Sequence, residues 1–272
     1  MKKIRFKSLD GLRVYGHIST PAKLTKSKRY PAMLFITGGI HGGVYSKNTR
    51  NYDPLHAKIS KFFNERGFVT LIVDKRGSKG HGKKYMGLVD CCGDEVFDII
   101  AGGKYLKKLD FVDKNRIFIH GTSRGATLAA LVLTKTDIFK LGILASGFYD
   151  LLKEYNFEKK YRPDIFPTKQ ALGGKDIHDV PYGERSPINY ASKINCPILI
   201  VHGLDDPIAP PKFSNNFYKS LKKLKKDVEI ILYKSFAHKK IYSCPTKEIG
   251  KIYWGDVLYF INKKFPTTPS YQ

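Results

Sequence analysis

Residues 116–133 have the sequence RIFIHGTSRGATLAALVL. The first five positions form a short apolar run typical of a buried strand, and the last eight are rich in Ala and Leu, which favour a helix. Between them lies the turn Gly-Thr-Ser-Arg-Gly at 121–125. A strand, a turn and a helix in this order lift the hydroxyl of Ser123 above the edge of a sheet.

The two glycines of this turn and the helix behind it predict that Ser123 is a nucleophile. A tight turn from strand to helix leaves no room for Cβ atoms beside the serine, which accounts for Gly121 and Gly125. The N-terminal N–H groups of the helix, at its positive dipole end, would face a developing oxyanion. Because a serine hydroxyl reacts only when a base takes its proton, the chain should also supply a histidine and a carboxylate.

Short apolar runs alternate with amphipathic segments along the chain, which predicts βαβ units and a mostly parallel sheet. Asp10-Gly11 lies between the first two runs and indicates a hairpin, so the sheet should begin antiparallel. The expected fold class is α/β, with eight strands flanked by helices. We predict strands at 3–8, 12–18, 31–37, 68–74, 116–120, 141–146, 197–202 and 228–233, and helices near 52–66, 94–108, 124–135, 212–225 and 247–264.

We expect residues 1–272 to form a single domain, since α/β folds often reach this size. One segment, 148–190, separates two predicted strands and is rich in Tyr, Phe, Pro and charged residues. It is too long for a simple connection, which favours a small lid or a pocket-lining excursion. The alternative is a plain helix with loops that has no part in substrate binding.

The net charge of +24 is the unusual feature of the composition and raises the question of a nucleic-acid partner. The excess comes mostly from Lys spread along the whole chain, whereas nucleic-acid readers more often cluster Arg with aromatic residues. A Lys-rich solvent face is therefore preferred, and a specific electrostatic role is the alternative. We do not expect a nucleic-acid partner.

The compartment is inferred from the cysteines and from the hydropathy of the chain. The four cysteines form no C-x-x-C pair and no metal-ligand spacing with histidines, so reduced thiols and no metal are expected. No apolar run of signal-peptide length follows the basic N-terminus, and none approaches the roughly 18 residues of a membrane span. These observations predict a soluble cytoplasmic protein whose oligomeric state remains open.

The candidate acid and base follow two later strands. In folds that carry a Gly-x-Ser-x-Gly turn between a strand and a helix, the carboxylate follows the serine along the chain, and the histidine comes last. The strand at 197–201 leads into His-Gly-Leu-Asp-Asp at 202–206, and the strand at 228–233 leads to His238. Both therefore lie at the carboxyl edge of a parallel sheet, where such sheets bind their ligands. Asp205 and Asp206 are both candidates for the acid.

The other histidines lie where contact with Ser123 is not expected. They fall in strands, in glycine-rich loops or far from the predicted site, and each is interpreted as packed or solvated. This set comprises His17, His41, His56, His81, His120, His178 and His202.

Several stretches, taken with the Ser123 turn, resemble the catalytic domain of the prolyl oligopeptidase family and its dienelactone-hydrolase-like relatives. The resemblance covers most of the chain. Thr37 stands where the family usually has His, and Arg124 where it often has an aromatic residue. The matching stretches are Thr37–Gly42 (the oxyanion loop), Asp74–Gly82 (Arg-Gly-Ser-x-Gly-x-Gly), Glu95–Asp98 (Glu-Val-x-Asp), Ser186–Tyr190 (a Ser-Pro segment) and His202–Asp206 (His-Gly-x-x-Asp).

The resemblance implies an α/β-hydrolase fold with a triad of Ser123, His238 and Asp206, the last chosen over Asp205 by the His-Gly-x-x-Asp register. It also implies that the oxyanion is bound by the backbone N–H of Arg124 and one N–H from Gly38 or Gly39. No metal or organic cofactor is implied.

The expected activity is hydrolysis of a small ester, lactone, amide or short peptide through an acyl-enzyme. The large peptidases of the family restrict access to their site with a β-propeller, and we expect no propeller before the hydrolase segment here. Esters and lactones therefore stay open beside peptides. An acyltransferase or cyclase would use the same triad with water excluded. A catalytically silent basic binding protein is the remaining alternative.

Two further predictions concern charged residues near the site. Arg76 is expected to pair with Glu95 and to brace the loop 77–82, the alternative being two separate surface charges. A basic rim could form from cations next to the predicted site, and it would attract anionic substrates. The alternative is that Arg124 turns towards a buried carboxylate and the lysines face water. The rim would comprise Lys75, Arg76, Arg124, Lys239 and Lys240.

Overall fold

The computed structural model describes residues 1–44, 53–161, 177–234, 236–238 and 243–266. Its centre is one eight-stranded sheet, so every predicted strand forms. The strands are β1 (Lys2–Lys7), β2 (Arg13–Ser19), β3 (Tyr30–Ile36), β4 (Val69–Asp74), β5 (Val112–Thr122), β6 (Leu141–Ala145), β7 (Ile198–Gly203) and β8 (Val228–Tyr233).

The strand order is β1-β2-β4-β3-β5-β6-β7-β8. β1 and β2 form an antiparallel hairpin, and β2 runs antiparallel to β4, whereas β3 to β8 pair in parallel. Gly11, in the hairpin turn, has a φ of 81°, a conformation that glycine adopts without strain. The predicted fold class, a mostly parallel sheet that begins antiparallel, is confirmed.

Seven helices flank the sheet in the described part of the chain. The five predicted ones form. The five-residue α2 was not expected from the sequence, and α5 lies in the segment 148–190, for which a helix was given only as the alternative. The helices are α1 (Pro54–Asn64), α2 (Gly82–Met86), α3 (Glu95–Lys107), α4 (Arg124–Leu133), α5 (Leu151–Tyr161), α6 (Lys212–Lys223) and α7 (Glu248–Lys264).

The helices cover both faces of the sheet. Alternate residues of β3 point to opposite sides, as the pleat requires: Leu34 joins a core with α3, α4 and α6, whereas Phe35 joins a core with α1 and α7. The central strands are therefore buried on both faces, which explains their unbroken apolar sequences.

The segment 148–190 leaves the sheet after β6. It begins with α5, and 3₁₀ helix follows at Ile177–Asp179, as a single turn, and at Pro187–Lys193, where two turns meet at a kink at Tyr190. Residues 162–176 lie outside the described part of the chain. Whether the segment acts as a lid stays a prediction.

The expected pairing of Arg76 with Glu95 is wrong. The Arg76 guanidinium donates to both carboxylate oxygens of Asp98, at 3.0 and 2.8 Å, and also contacts Asp94 and Asp10. Asp94 and Asp98 are four residues apart at the start of α3, so they share the helix face that Arg76 meets. Glu95 is turned away and accepts from the backbone N–H of Asp90.

Burial of this ion pair makes it costly to break from one side. The Arg76 and Asp98 side chains are 6% and 0% exposed. Burial disfavours the charge of Arg76, but the hydrogen bonds from Arg76 to Asp98 outweigh that effect and raise the pKa of the guanidinium above its usual value. Both the predicted pair and the alternative of two surface charges are thus replaced by a buried Arg76–Asp98 pair.

Arg76→Met should destabilise the fold by about 3–5 kcal/mol, because it leaves the Asp98 carboxylate buried and unpaired. Urea unfolding gives the change. The matched control is Lys61→Met, which breaks an exposed pair with Glu65 on α1 and should shift stability by no more than about 0.5 kcal/mol. Equal unfolding midpoints for the two variants would contradict the bracing role.

Candidate active site

Ser123 lies between β5 and α4, at the carboxyl edge of the sheet. Its φ of 55° and ψ of −125° belong to a conformation that L-residues rarely adopt. Its backbone N–H donates to the carbonyl of Ala145 on the neighbouring strand at 2.7 Å, which anchors the turn. The hydroxyl is thereby lifted from the sheet, as the sequence predicts.

Close packing of the turn explains both flanking glycines. A Cβ atom on Gly121 would lie 2.1 Å from the carbonyl oxygen of Gly125, and one on Gly125 would lie 2.4 Å from that of Ile36. Neither position has room for a side chain.

Ser123, His238 and Asp206 form a continuous chain of hydrogen bonds. The Nε2 atom of His238 lies 2.9 Å from Ser123 Oγ, and its Nδ1 atom lies 2.7 Å from Asp206 Oδ2. The three residues come from the ends of β5, β7 and β8, which the parallel sheet brings to one edge. The structure therefore brings together the three side chains that the sequence nominates.

Asp206 is held rigidly in its charged form. Its Oδ1 atom accepts from the backbone N–H groups of Ile208 and Ala209, both at 2.9 Å. Burial opposes the charge, but hydrogen bonds from His202, His238 and Ala209 outweigh it, so the pKa of Asp206 lies below its usual value. Its neighbour Asp205 is exposed. The geometry thus separates the two candidate acids.

His202 makes a contact that sequence reasoning missed. It is fully buried, as expected of a packed histidine, and its Nδ1 atom lies 2.6 Å from Ser214 Oγ. Its Nε2 atom lies 2.6 Å from the Ala209 carbonyl and 3.2 Å from Asp206 Oδ2. The His-Gly-x-x-Asp spacing was the available signal, since it puts both residues in one turn.

The candidate oxyanion groups lie next to the serine. A Cβ on Gly38 would be 3.2 Å from the Cβ of Ser123, so this loop is packed directly against the candidate nucleophile. Gly39 follows with a φ of 77°. Arg124 is the first residue of α4, and the N–H groups of a helix N-terminus lack partners within the helix.

Comparison with known proteins supplies the family. Residues 55–267 match the prolyl oligopeptidase family. The chain belongs to this family. Uncharacterized peptidase YtmA of Bacillus subtilis (strain 168) is 30% identical over 236 residues, which make up 84% of this chain and 82% of YtmA. Uncharacterized peptidase YuxL of the same organism is 24% identical over 241 residues, or 87% of this chain and 35% of YuxL.

A solved structure extends the comparison to the fold. The uncomplexed acylaminoacyl peptidase of Pyrococcus horikoshii matches with a TM-score of 0.79 at 27% identity, over 100% of this chain and 43% of the peptidase chain. The chain therefore spans less than half of that peptidase and about a third of YuxL. The predicted α/β-hydrolase fold and prolyl oligopeptidase resemblance are confirmed.

In this member of the prolyl oligopeptidase family, the side chain that follows Ser123 is tied to α5. The Arg124 guanidinium meets the Glu154 carboxylate at 3.2 and 3.3 Å, and the side chains are 17% and 6% exposed. Burial disfavours the charge of Arg124, but Glu154 outweighs that effect and keeps the pKa of Arg124 above its usual value. Arg124 thus turns towards a buried carboxylate, which is the alternative to a basic rim.

The other described members of the predicted rim also face inward. Lys75 is 1% exposed, and Arg76 is bound to Asp98. Lys239 and Lys240 lie outside the described residues. The three described cations therefore form no rim around Ser123.

Glu154→Gln should destabilise the protein by about 3–5 kcal/mol, because the Arg124 charge would stay buried without its partner. The double variant Arg124→Met/Glu154→Met should recover most of that loss, since it removes both charges. Lys153→Met is the matched control one residue away, because its side chain is 64% exposed. A Glu154→Gln midpoint equal to that of the control, in chemical unfolding, would rule out the inferred cost.

The described residues contain no group of three or more His, Cys, Asp or Glu side chains placed to hold a metal ion. Across the same residues, no helix is both long enough and apolar enough to cross a bilayer. A cytoplasmic location stays a prediction.

Proposed function

We propose that the chain is a serine peptidase that cleaves short peptides through an acyl-enzyme on Ser123. The observation that carries the proposal is the unbroken hydrogen-bond chain from Asp206 through His238 to the Ser123 hydroxyl. A neutral His238 that donates from Nδ1 to Asp206 has its Nε2 lone pair directed at the serine proton.

In the proposed reaction, His238 takes the proton of Ser123 as Oγ attacks the substrate carbonyl. The imidazolium that forms is stabilised by the charged Asp206 and then protonates the leaving amine. Water next attacks the acyl-enzyme with His238 again as the base. The backbone N–H groups of Arg124 and of Gly38 or Gly39 would bind the oxyanion, an effect worth roughly 3–4 kcal/mol for each donor.

A peptide substrate is favoured over an ester by the relatives. YtmA and YuxL carry the name peptidase, and the Pyrococcus protein is an acylaminoacyl peptidase. We further propose that residues 1–272 act as one domain whose excursion, 148–190, lines the substrate pocket. Support comes from the ion pair between Glu154 and Arg124, which ties α5, the first helix of the excursion, to the residue directly after Ser123.

The test is active-site labelling combined with a small substrate panel. A fluorophosphonate should label one serine, found at Ser123 by mass spectrometry, and peptidyl anilides should be cleaved as well as p-nitrophenyl esters. Ester cleavage without anilide cleavage would overturn the peptidase assignment. Product that forms only when an amine or alcohol acceptor is added would favour the acyltransferase. An unlabelled, inactive protein would favour the silent binding protein.

A further inference from the structure

The loop that carries Gly38 and Gly39 is held by the neighbouring loop, 75–79. The carbonyl oxygens of Ile40, His41 and Gly42 accept hydrogen bonds from Lys75 Nζ, Lys79 N and Ser78 Oγ, at 2.9, 3.3 and 2.6 Å. Three consecutive carbonyls of the oxyanion loop, Thr37–Gly42, are thus bonded to the loop 75–79, which fixes the path of the oxyanion loop from that side.

Lys75 makes the contact nearest to the two glycines. Its ammonium bonds to the residue directly after Gly39. The oxyanion loop is folded tightly, since a Cβ on Gly42 would lie 1.9 Å from the carbonyl oxygen of Gly38. A shift at Ile40 therefore has little room to be absorbed before it reaches the N–H groups beside Ser123.

The ammonium of Lys75 lies where the loss of solvent disfavours its positive charge. The residue is 1% exposed, and burial lowers the pKa of its amine, an effect that the Glu95 carboxylate opposes. Lys75, Glu95, Arg124 and Ile40 line one cavity behind the oxyanion loop. A methionine would fill nearly the same space without the desolvation cost, so packing alone does not require a cation.

We infer that Lys75 is a positioning residue for the oxyanion loop, through its hydrogen bond to the Ile40 carbonyl. The inference rests on the proposed function. Lys75 does not touch the reacting atoms; it sets where the Gly38 and Gly39 N–H groups stand when negative charge develops on the substrate oxygen. Because such donors act only over short distances, a small displacement should cost rate more than it costs substrate binding.

Lys75→Met should lower kcat/KM for a peptidyl anilide by about 10- to 100-fold, mostly through kcat, with KM changed by no more than about twofold. The matched control is Lys83→Met, which removes one positive charge from the exposed face of α2 and should leave kcat/KM unchanged. Fluorophosphonate titration gives the concentration of active enzyme for each variant.

A pair of inhibitors separates positioning from general damage. A peptide trifluoromethyl ketone binds as a tetrahedral oxyanion, whereas the matching peptide alcohol has no carbonyl to attack. In Lys75→Met, Ki for the ketone should rise by the factor by which kcat/KM falls, and Ki for the alcohol should not change. A purely structural lesion would weaken both inhibitors or reduce the active fraction instead.

Equality of Lys75→Met and Lys83→Met in kcat/KM and in ketone affinity would overturn the inference. If Lys75→Met does not fold, the same ratios are measured in Lys75→Gln and Lys75→Arg, and their equality with the control overturns it as well. If the wild-type protein takes no label and cleaves no anilide, the proposed function itself is contradicted. If the wild type is labelled and active and Lys75→Met has the same kcat/KM, only the role of Lys75 is contradicted.

Discussion

Ser123→Ala should lower kcat by about 10⁴-fold or more, and it should abolish fluorophosphonate labelling. Alanine keeps the Cβ atom and the backbone hydrogen bond to Ala145, and it removes only the hydroxyl that faces His238. The free energy of unfolding should therefore change by no more than about 0.5 kcal/mol. Steady-state hydrolysis of a peptidyl anilide and urea unfolding measure the two effects.

A buried serine near Ser123 supplies the control for this variant. Ser146 directly follows the neighbouring strand β6 and has a φ of 52°, and its hydroxyl has no hydrogen-bond partner among the described residues. Ser146→Ala should keep wild-type labelling and activity. If Ser123→Ala stays active and labels elsewhere, or if the two variants lose activity equally, Ser123 is not the nucleophile.

The sheet is largely predictable from sequence because its central strands are buried on both faces. Strands of this kind are nearly continuous apolar runs, so they can be recognised without knowing which strands lie beside them. Gly or Pro marks their ends. β5 starts at Val112 instead of at 116. Val112 is buried and pairs with Tyr30, but the four residues after it are polar and partly or fully exposed, and regular pairing with β3 resumes only at Ile117, after a register shift. Nothing in the apolar pattern marks that extension.

The two helices that lie outside the five predicted ones have weak apolar patterns. α2 is five residues long and buries only Tyr85, and α5 buries only Leu151 and Glu154. A helix with only one or two buried residues cannot be distinguished from a loop by periodicity. In α5 the second buried residue is charged, so its reason for burial becomes visible only when Arg124 is seen opposite it.

The residues of the site also divide into those that the sequence predicts and those whose contacts it does not reveal. Ser123, Asp206 and His238 follow from the order of the motif along the chain, because a parallel sheet brings strand ends together. The contacts of Arg76, Arg124 and Lys75 do not follow. α3 is buried on most of its surface, so the sequence does not reveal whether Glu95 or Asp98 faces a given arginine. That choice depends on the rotation of the helix against the sheet.

The adjacent carboxylates at the end of β7 give the second large expected effect. Asp206→Asn should lower kcat by about 10⁴-fold, because an amide no longer stabilises the imidazolium and allows the wrong tautomer of His238. Asp205→Asn is the natural control, since it makes the same chemical change one residue away on an exposed side chain. It should leave kcat within about twofold of wild type.

The size of the Asp206 effect follows from how the carboxylate is bound. Oδ1 is held by two backbone N–H groups, which leaves Oδ2 to His238 at 2.7 Å and His202 at 3.2 Å. In the asparagine variant an NH₂ at the Oδ2 position would face His238 Nδ1, so the ring would carry its proton on Nε2, towards Ser123, where it cannot accept the serine proton. Fluorophosphonate labelling should slow in parallel with kcat, while KM should change little, because the Asp206 side chain is 0% exposed and lies behind His238. A mild Asp206→Asn beside a severe Asp205→Asn would transfer the acid role to Asp205, and the hydrogen-bond chain would then not be the catalytic one.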